Sequence, residues 1–306
     1  MFPDDVALHR ARLDDAHRVA TLVEAVDLAD IGEKMFDITD IEAEWAGPEI
    51  DLDRDVVLVE DARAGAGRAD GADGELIAWA QVIGDRAEAD VHPAHRGRGL
   101  GTALAEWTEQ RAREAGETRI GQTKIDTLAA ARELFEQRGY EPGWDSWILR
   151  LPEGAQMTTP PLPAGITIRP AAPDEDHAVY VVVENAFNEW DDRAPRTYEQ
   201  WRSRVVERPD FDRSLLLVAA NDDGPVGVCF GIHYPDEGWA DQVAVVPELR
   251  GRGLARSMLA VLFDELRARG ERRMGLNTDS RTGALGLYLE LGMVVTHTFR
   301  HWSLEL

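Results

Sequence analysis

Apolar and polar positions along the chain fall into patterns that each occur twice. Leu100, Leu104 and Trp107, and later Leu254, Met258, Val261, Leu262 and Leu266, recur every three or four residues. That spacing predicts helices with one buried face. A glycine closes each run, Gly116 and Gly270, and supplies a left-handed cap. Ahead of each helix lies a pair of short apolar runs, 56–60 with 76–82 and 215–220 with 226–232. Turn-forming Asp, Asn and Gly residues at 70–74 and 221–224 separate the members of each pair, so both pairs predict β-hairpins. Further strands are predicted at 6–11 and 166–169, and tryptophan-bearing ones at 146–151 and 301–306.

The duplication extends to residue identity. Residues 91–101 recur as 245–255 at an offset of 154, and 133–140 parallel 286–293 at an offset of 153. Between the copies, Pro160, Pro161 and Pro163 sit in a stretch that predicts an extended linker, because proline has no backbone donor. The expected domains are therefore 1–151 and 166–306, joined by 152–165. Each reads strand–helix–hairpin–strand–helix–strand–helix–strand. This order predicts an α/β fold, a mixed, mostly antiparallel twisted sheet with helices on both faces.

Composition narrows the function classes. The 306 residues are 44% hydrophobic and 29% charged, enough apolar material for two cores. A net charge of −24 argues against nucleic-acid partners and against docking on anionic membranes. No apolar run approaches the roughly 18–20 residues of a membrane span, and no basic segment followed by an apolar block marks a secretory signal, so a cytoplasmic location is expected. Cys229 is the single cysteine, which leaves no internal disulfide and no cysteine-based zinc site. His92, His95, His297 and His301 show no ligand spacing, and no metal is expected.

The candidate chemistry lies in a loop with the pattern Arg-x-x-Gly-x-Gly/Ala. The first copy carries Arg96, Gly97, Arg98, Gly99 and Gly101; the second carries Arg250, Gly251, Arg252, Gly253, Leu254 and Ala255. Glycines let backbone approach a ligand, and the free N–H groups and dipole of the following helix favour phosphate oxygens. The arginines add positive charge. A Walker-type loop is excluded because no Gly-x-x-x-x-Gly-Lys-Ser/Thr occurs. A dinucleotide fold would place its glycines after the first strand, whereas these loops follow a hairpin.

On these motifs both halves resemble the GNAT N-acetyltransferase superfamily. The resemblance implies an acetyl-CoA cosubstrate whose pantetheine pairs with Val243, Ala244 and Val245 and whose pyrophosphate lies on residues 250–255. It also implies that Asn277 faces the cofactor and that Tyr288 is the general acid beside the sulfur. Asp241 is a candidate for accepting the amine proton, and equally a solvated strand-start residue. The acceptor implied is the primary amine of a small molecule or peptide. Length and two-copy layout are similar to those of the mycothiol synthases, which implies a cysteinyl-sugar amine as an alternative. A CoA-binding regulatory or scaffold protein without turnover is the reading from a different class. The two domains are expected to pack on each other; association between copies of the chain is left open.

The copies differ at the positions that matter. Phe135 stands where the second copy has Tyr288, and a phenyl ring has no proton to give. Lys124 replaces Asn277, and Asp90 falls where pantetheine would lie. The first domain is therefore expected to be non-catalytic, with its loop a second candidate CoA site. Trp190, Asp191, Asp192, Tyr198 and Trp201 occupy the segment that builds the acceptor site in the superfamily, although an amphipathic helix pair accounts for them more simply. Cys229, in an apolar run, is expected to be buried packing.

Overall fold

The computed structural model describes residues 1–35, 38–62, 74–189 and 195–306. Its contacts divide the chain into two compact units, Met1–Asp145 with Phe299–Leu306, and Ser146–Thr298. In the first unit the elements are β1 (Val6–Arg10), α1 (Ala16–Asp30), α2 (Ile38–Trp45), α3 (Leu52–Asp55), β2 (Val56–Asp61), β3 (Leu76–Ile83), β4 (Arg86–Val91), α4 (Leu100–Ala115), β5 (Arg119–Ile125) and α5 (Ala129–Arg138). Strand β6 (Glu141–Leu151) runs across the boundary. The second unit contains β7 (Thr167–Pro170), α6 (Asp176–Phe187), α7 (Tyr198–Arg204), β8 (Leu216–Asn221), β9 (Gly224–His233), β10 (Gly238–Val245), α8 (Leu254–Ala268), β11 (Met274–Asp279) and α9 (Leu285–Glu290). Strand β12 (Val294–Glu305) closes the series.

Each unit has the sheet that the pattern predicts. The strand orders are β1-β2-β3-β4-β5-β12 and β6-β11-β10-β9-β8-β7, with parallel pairing at β4–β5 and β10–β11 and antiparallel pairing at the others described. Period-two alternation feeds a core on each face. In the first unit Leu58 and Trp79 join Val19, Leu22 and Trp45 beneath α1 and α2, while Val57 and Val59 meet Leu100 and Leu104 of α4. In the second, Leu217 and Cys229 pack with Met258 and Leu262 of α8, and Val218 and Phe230 with Val183 and Trp201. The hairpins β2–β3 and β8–β9 form as expected; residues 70–73 of the first turn lie outside the described residues.

The expected boundaries at 151 and 166 need correction. Residues 146–151 of β6 pair antiparallel with β11, in the second unit. Residues 299–305 of β12 pair antiparallel with β5, in the first. The tryptophan-bearing closing strands are exchanged between the copies. Each strand's own alternation suits either sheet edge, so local pattern cannot select the partner; register and non-local packing do.

Candidate functional site

In the second unit β10 and β11 run side by side for only three register positions, from Gly238 opposite Met274 to Ala240 opposite Leu276. The register of β10 against β9 shifts between Ala240 and Gln242, a β-bulge at Asp241. Bulges bend a strand and end its pairing. Beyond this one, the β11-facing edge of residues 243–245 has no strand partner among the described residues. A cavity of about 1240 Å³ opens there. Its lining includes Val243, Ala244 and Val245, the turn 250–253, Leu254 and Ala255, and Thr278, Thr282 and Tyr288.

The glycine–arginine turn lies in the wall of that cavity. Gly251 and Gly253 have φ of +70° and +83°, a left-handed conformation that disfavours any residue with a Cβ. Gly253 is the N-cap of α8, whose first N–H groups lack partners within the helix. The two arginines have different jobs. Arg250 donates from Nε to the Val245 carbonyl (2.9 Å) and bidentately to Glu189 (2.7 and 2.8 Å), so its charge is matched. That partner holds the Glu189 carboxyl below its ordinary range. The same staple occurs in the first unit, where Arg96 bonds the Val91 carbonyl and both oxygens of Asp30. Arg96 and Arg250 therefore hold the strand to the turn and do not add the unmatched charge expected of them. Arg252 is exposed, lines the cavity and makes no ion pair with a described residue.

Tyr288, on α9, is only 7% exposed and faces the same cavity. Burial, and then the nearby Cys229 thiol, push its hydroxyl well above the usual range. The group stays protonated at neutral pH, as a proton donor requires. Cys229 is fully buried, and burial pushes its thiol up as well, which leaves it an inert packing residue. On β11 Leu276 and Thr278 are buried, whereas Asn277 is exposed and lies outside the cavity lining. The lining includes instead the paired hydroxyls of Thr278 and Thr282, 2.9 Å apart, with Thr282 also accepting from the Ala284 amide (3.0 Å). Every residue of β11 except Asn277 is buried, so no period of two singles out Thr278. Asp241 is exposed at the bulge and is likewise outside the lining.

The first unit closes the equivalent features. Lys124 of β5 reaches across to Asp90 of β4, which also accepts from Trp79 Nε1 (3.3 Å). Phe135 is core, with ring centroids 5.0 Å from Tyr140 and 5.8 Å from Trp302. Arg98 is held by Asp61 (2.9 Å) and Asp5 (2.8 Å), which raises its pKa, the Asp61 bond first. Among the acceptor-segment candidates, Trp190, Asp191 and Asp192 lie outside the described residues. Trp201 is buried and donates to Gln242 (3.3 Å), and Tyr198 stacks on it. No group of three or more His, Cys, Asp or Glu side chains among the described residues is placed to hold a metal. No helix among them is long and apolar enough to cross a membrane.

Comparison with known proteins places the chain that carries this split strand pair and glycine turn among the acyl-CoA N-acyltransferases. Residues 35–140 and 177–293 each match the model of the acetyltransferase (GNAT) family. The chain belongs to that family, as a tandem member and an enzyme. It is 32% identical over 250 residues to a mycothiol acetyltransferase of Salinispora arenicola, covering 76% of this chain and 77% of that one. To the Nocardia farcinica protein of the same name it is 30% identical over 254 residues, 74% and 78% of the two chains. Among solved structures it is similar to a GCN5-related N-acetyltransferase from Sphaerobacter thermophilus, with TM-score 0.77, 31% identity and 100% and 97% coverage. A tandem GNAT protein from the clavulanic acid pathway shares the fold at TM-score 0.72 and 16% identity, over 98% of both chains.

Proposed function

We propose that the second unit transfers an acetyl group from acetyl-CoA to a primary amine. The observation that carries this reading is a single cavity lined by Arg252 at a helix start, by an uncovered strand edge and by the buried hydroxyl of Tyr288. Such a lining fits an extended molecule with phosphates toward one part and an amide-bearing arm toward another. Gly251 has open space where a Cβ would stand, so backbone can approach a phosphate there.

When bound, acetyl-CoA supplies an acyl group already activated as a thioester. The amides of residues 251–255 and the Arg252 guanidinium hold the phosphates. The edge of residues 243–245 offers N–H and C=O groups to the arm, as the edge of any sheet does. An N–H of that edge, near Val243, stabilises negative charge as it develops on the carbonyl oxygen. Tyr288 Oη gives its proton to the departing thiolate. Asp241, exposed at the bulge and outside the cavity lining, takes the proton of the incoming ammonium through water.

Arg252→Glu should lower acetyl-CoA affinity at least about tenfold by calorimetry, since it replaces a cation with no ion pair among the described residues by a charge that repels phosphate. Tyr288→Phe should lower turnover about 100-fold or more with little change in affinity, because only the proton donor is removed. Wild-type binding by the first variant, or wild-type turnover by the second, would overturn the assignment. The relatives named mycothiol acetyltransferase favour a cysteinyl-sugar amine as the acceptor. Turnover of such an amine in preference to a panel of simple amines is the corresponding test.

A further inference from the structure

The prolines of 152–165 mark a linker, yet part of this stretch is built into the cavity of the second unit. Ala155 and Met157 pack against the core around α8, and Arg267 donates to the Ala155 carbonyl (2.7 Å). Ile166 packs into the same core at the other end. Between these anchors, Gln156, Thr158, Thr159 and Pro160 line the cavity that also contains Arg252 and Arg256. The approach is closest at the turn itself. A Cβ added to Gly253 would lie 2.2 Å from Cγ of Pro160. Glycine is thus required at 253 twice over, by its φ of +83° and by the ring seated on it.

We propose that residues 156–160 are a binding element for the phosphate-bearing half of the cosubstrate, the wall facing the glycine–arginine turn. The hydroxyls of Thr158 and Thr159 donate to phosphate oxygens there, and Pro160 keeps the wall against Gly253. Because the segment is pinned at both ends, ordering it on binding costs little conformational entropy. The element separates coenzyme A, which carries a phosphorylated nucleotide, from an acyl-pantetheine that lacks one. This rests on the reading of the cavity as the acetyl-CoA site.

The test uses the full chain, with coenzyme A and acetyl-pantetheine as probes. Thr158→Ala with Thr159→Ala should weaken coenzyme A about tenfold, the loss of two hydrogen bonds, and leave acetyl-pantetheine unchanged. Independently, saturating coenzyme A should slow hydrogen exchange at the amides of residues 156–159. If the wild-type chain does not bind coenzyme A, the reading of the cavity falls and this proposal with it. If the wild type binds and Arg252→Glu does not, while the double alanine variant binds like wild type, only the role of the segment is overturned. Absence of protection at 156–159 in a saturated wild-type sample overturns it as well.

Discussion

Arg98 and Arg252 stand at the same point in two copies of one loop, the first between two carboxylates and the second with none among the described residues. Register explains the difference. Val6 pairs with Asp61 and Thr167 with Ala220, so continuing the second ladder by one position sets Ile166 against Asn221. Asp5 and Asp61 of the first unit thus correspond to Gly165 and Asn221 of the second, an uncharged pair. The strand split differs in the same way. The first unit spans it with Asp90 and Lys124, while the offset repeat puts Ala244 and Asn277 at those positions. Whether the second arginine of the turn is ion-paired thus depends on strand ends far from it in sequence. The first copy pairs its second loop arginine with Asp5 and Asp61; the second leaves Arg252 without an ion pair among the described residues.

The comparison breaks most visibly if the first unit turns over substrate. A chain carrying both Arg252→Glu and Tyr288→Phe should show only background acetyl transfer, a loss of at least about 100-fold, with folding checked by circular dichroism. Residual transfer near the wild-type rate would make the first unit an enzyme.

Asn221→Asp makes the second loop resemble the first. It keeps the side-chain oxygen that accepts from the Asp223 amide (2.9 Å) and adds the carboxylate that Asp61 supplies to Arg98. Acetyl-CoA affinity should fall about three- to tenfold, more at low salt, because an exposed ion pair is weak and screened. Calorimetry at two salt concentrations would show this; an unchanged affinity would mean that Asn221 does not face Arg252 as Asp61 faces Arg98.

Restoring a hydroxyl to the first unit should not restore chemistry. Phe135→Tyr puts a polar group into the cluster of Phe135, Tyr140 and Trp302, where Phe135 is 3% exposed. An unpartnered buried hydroxyl costs about 1–3 kcal/mol, visible as a lower urea midpoint, with no gain in transfer. A gain in activity would show that the first cleft lacks only its acid.

The duplicated fold was legible because its signals are local. Helical spacing, Asp/Gly turns and the repeated glycine loop each declare themselves within about a dozen residues. Tyr288 is singled out through the resemblance, eleven residues after Asn277 in a Leu-Tyr-x-x-x-Gly segment, and it lines the cavity. The strand exchange was not, since 146–151 and 301–306 carry similar alternation and differ only in which distant edge they join. Nor was the division of labour between arginines legible. Arg250 is neutralised by Glu189, 61 positions away, and Arg98 by Asp5, 93 positions away, contacts that only folding creates. Asn277 comes from the resemblance alone; it is exposed on β11 and does not line the cavity.

The exchanged strands have a consequence for how the protein is made. Residues 119–125 emerge from the ribosome early, but the strand that covers their edge is 299–305. At roughly 5–20 residues per second, that edge waits on the order of ten to thirty seconds with its backbone groups unpaired. Produced alone, residues 1–151 would lack the strand 299–305 and would carry 146–151 without its β11 partner. Neither sheet of this duplicated chain is thus completed by its own repeat alone.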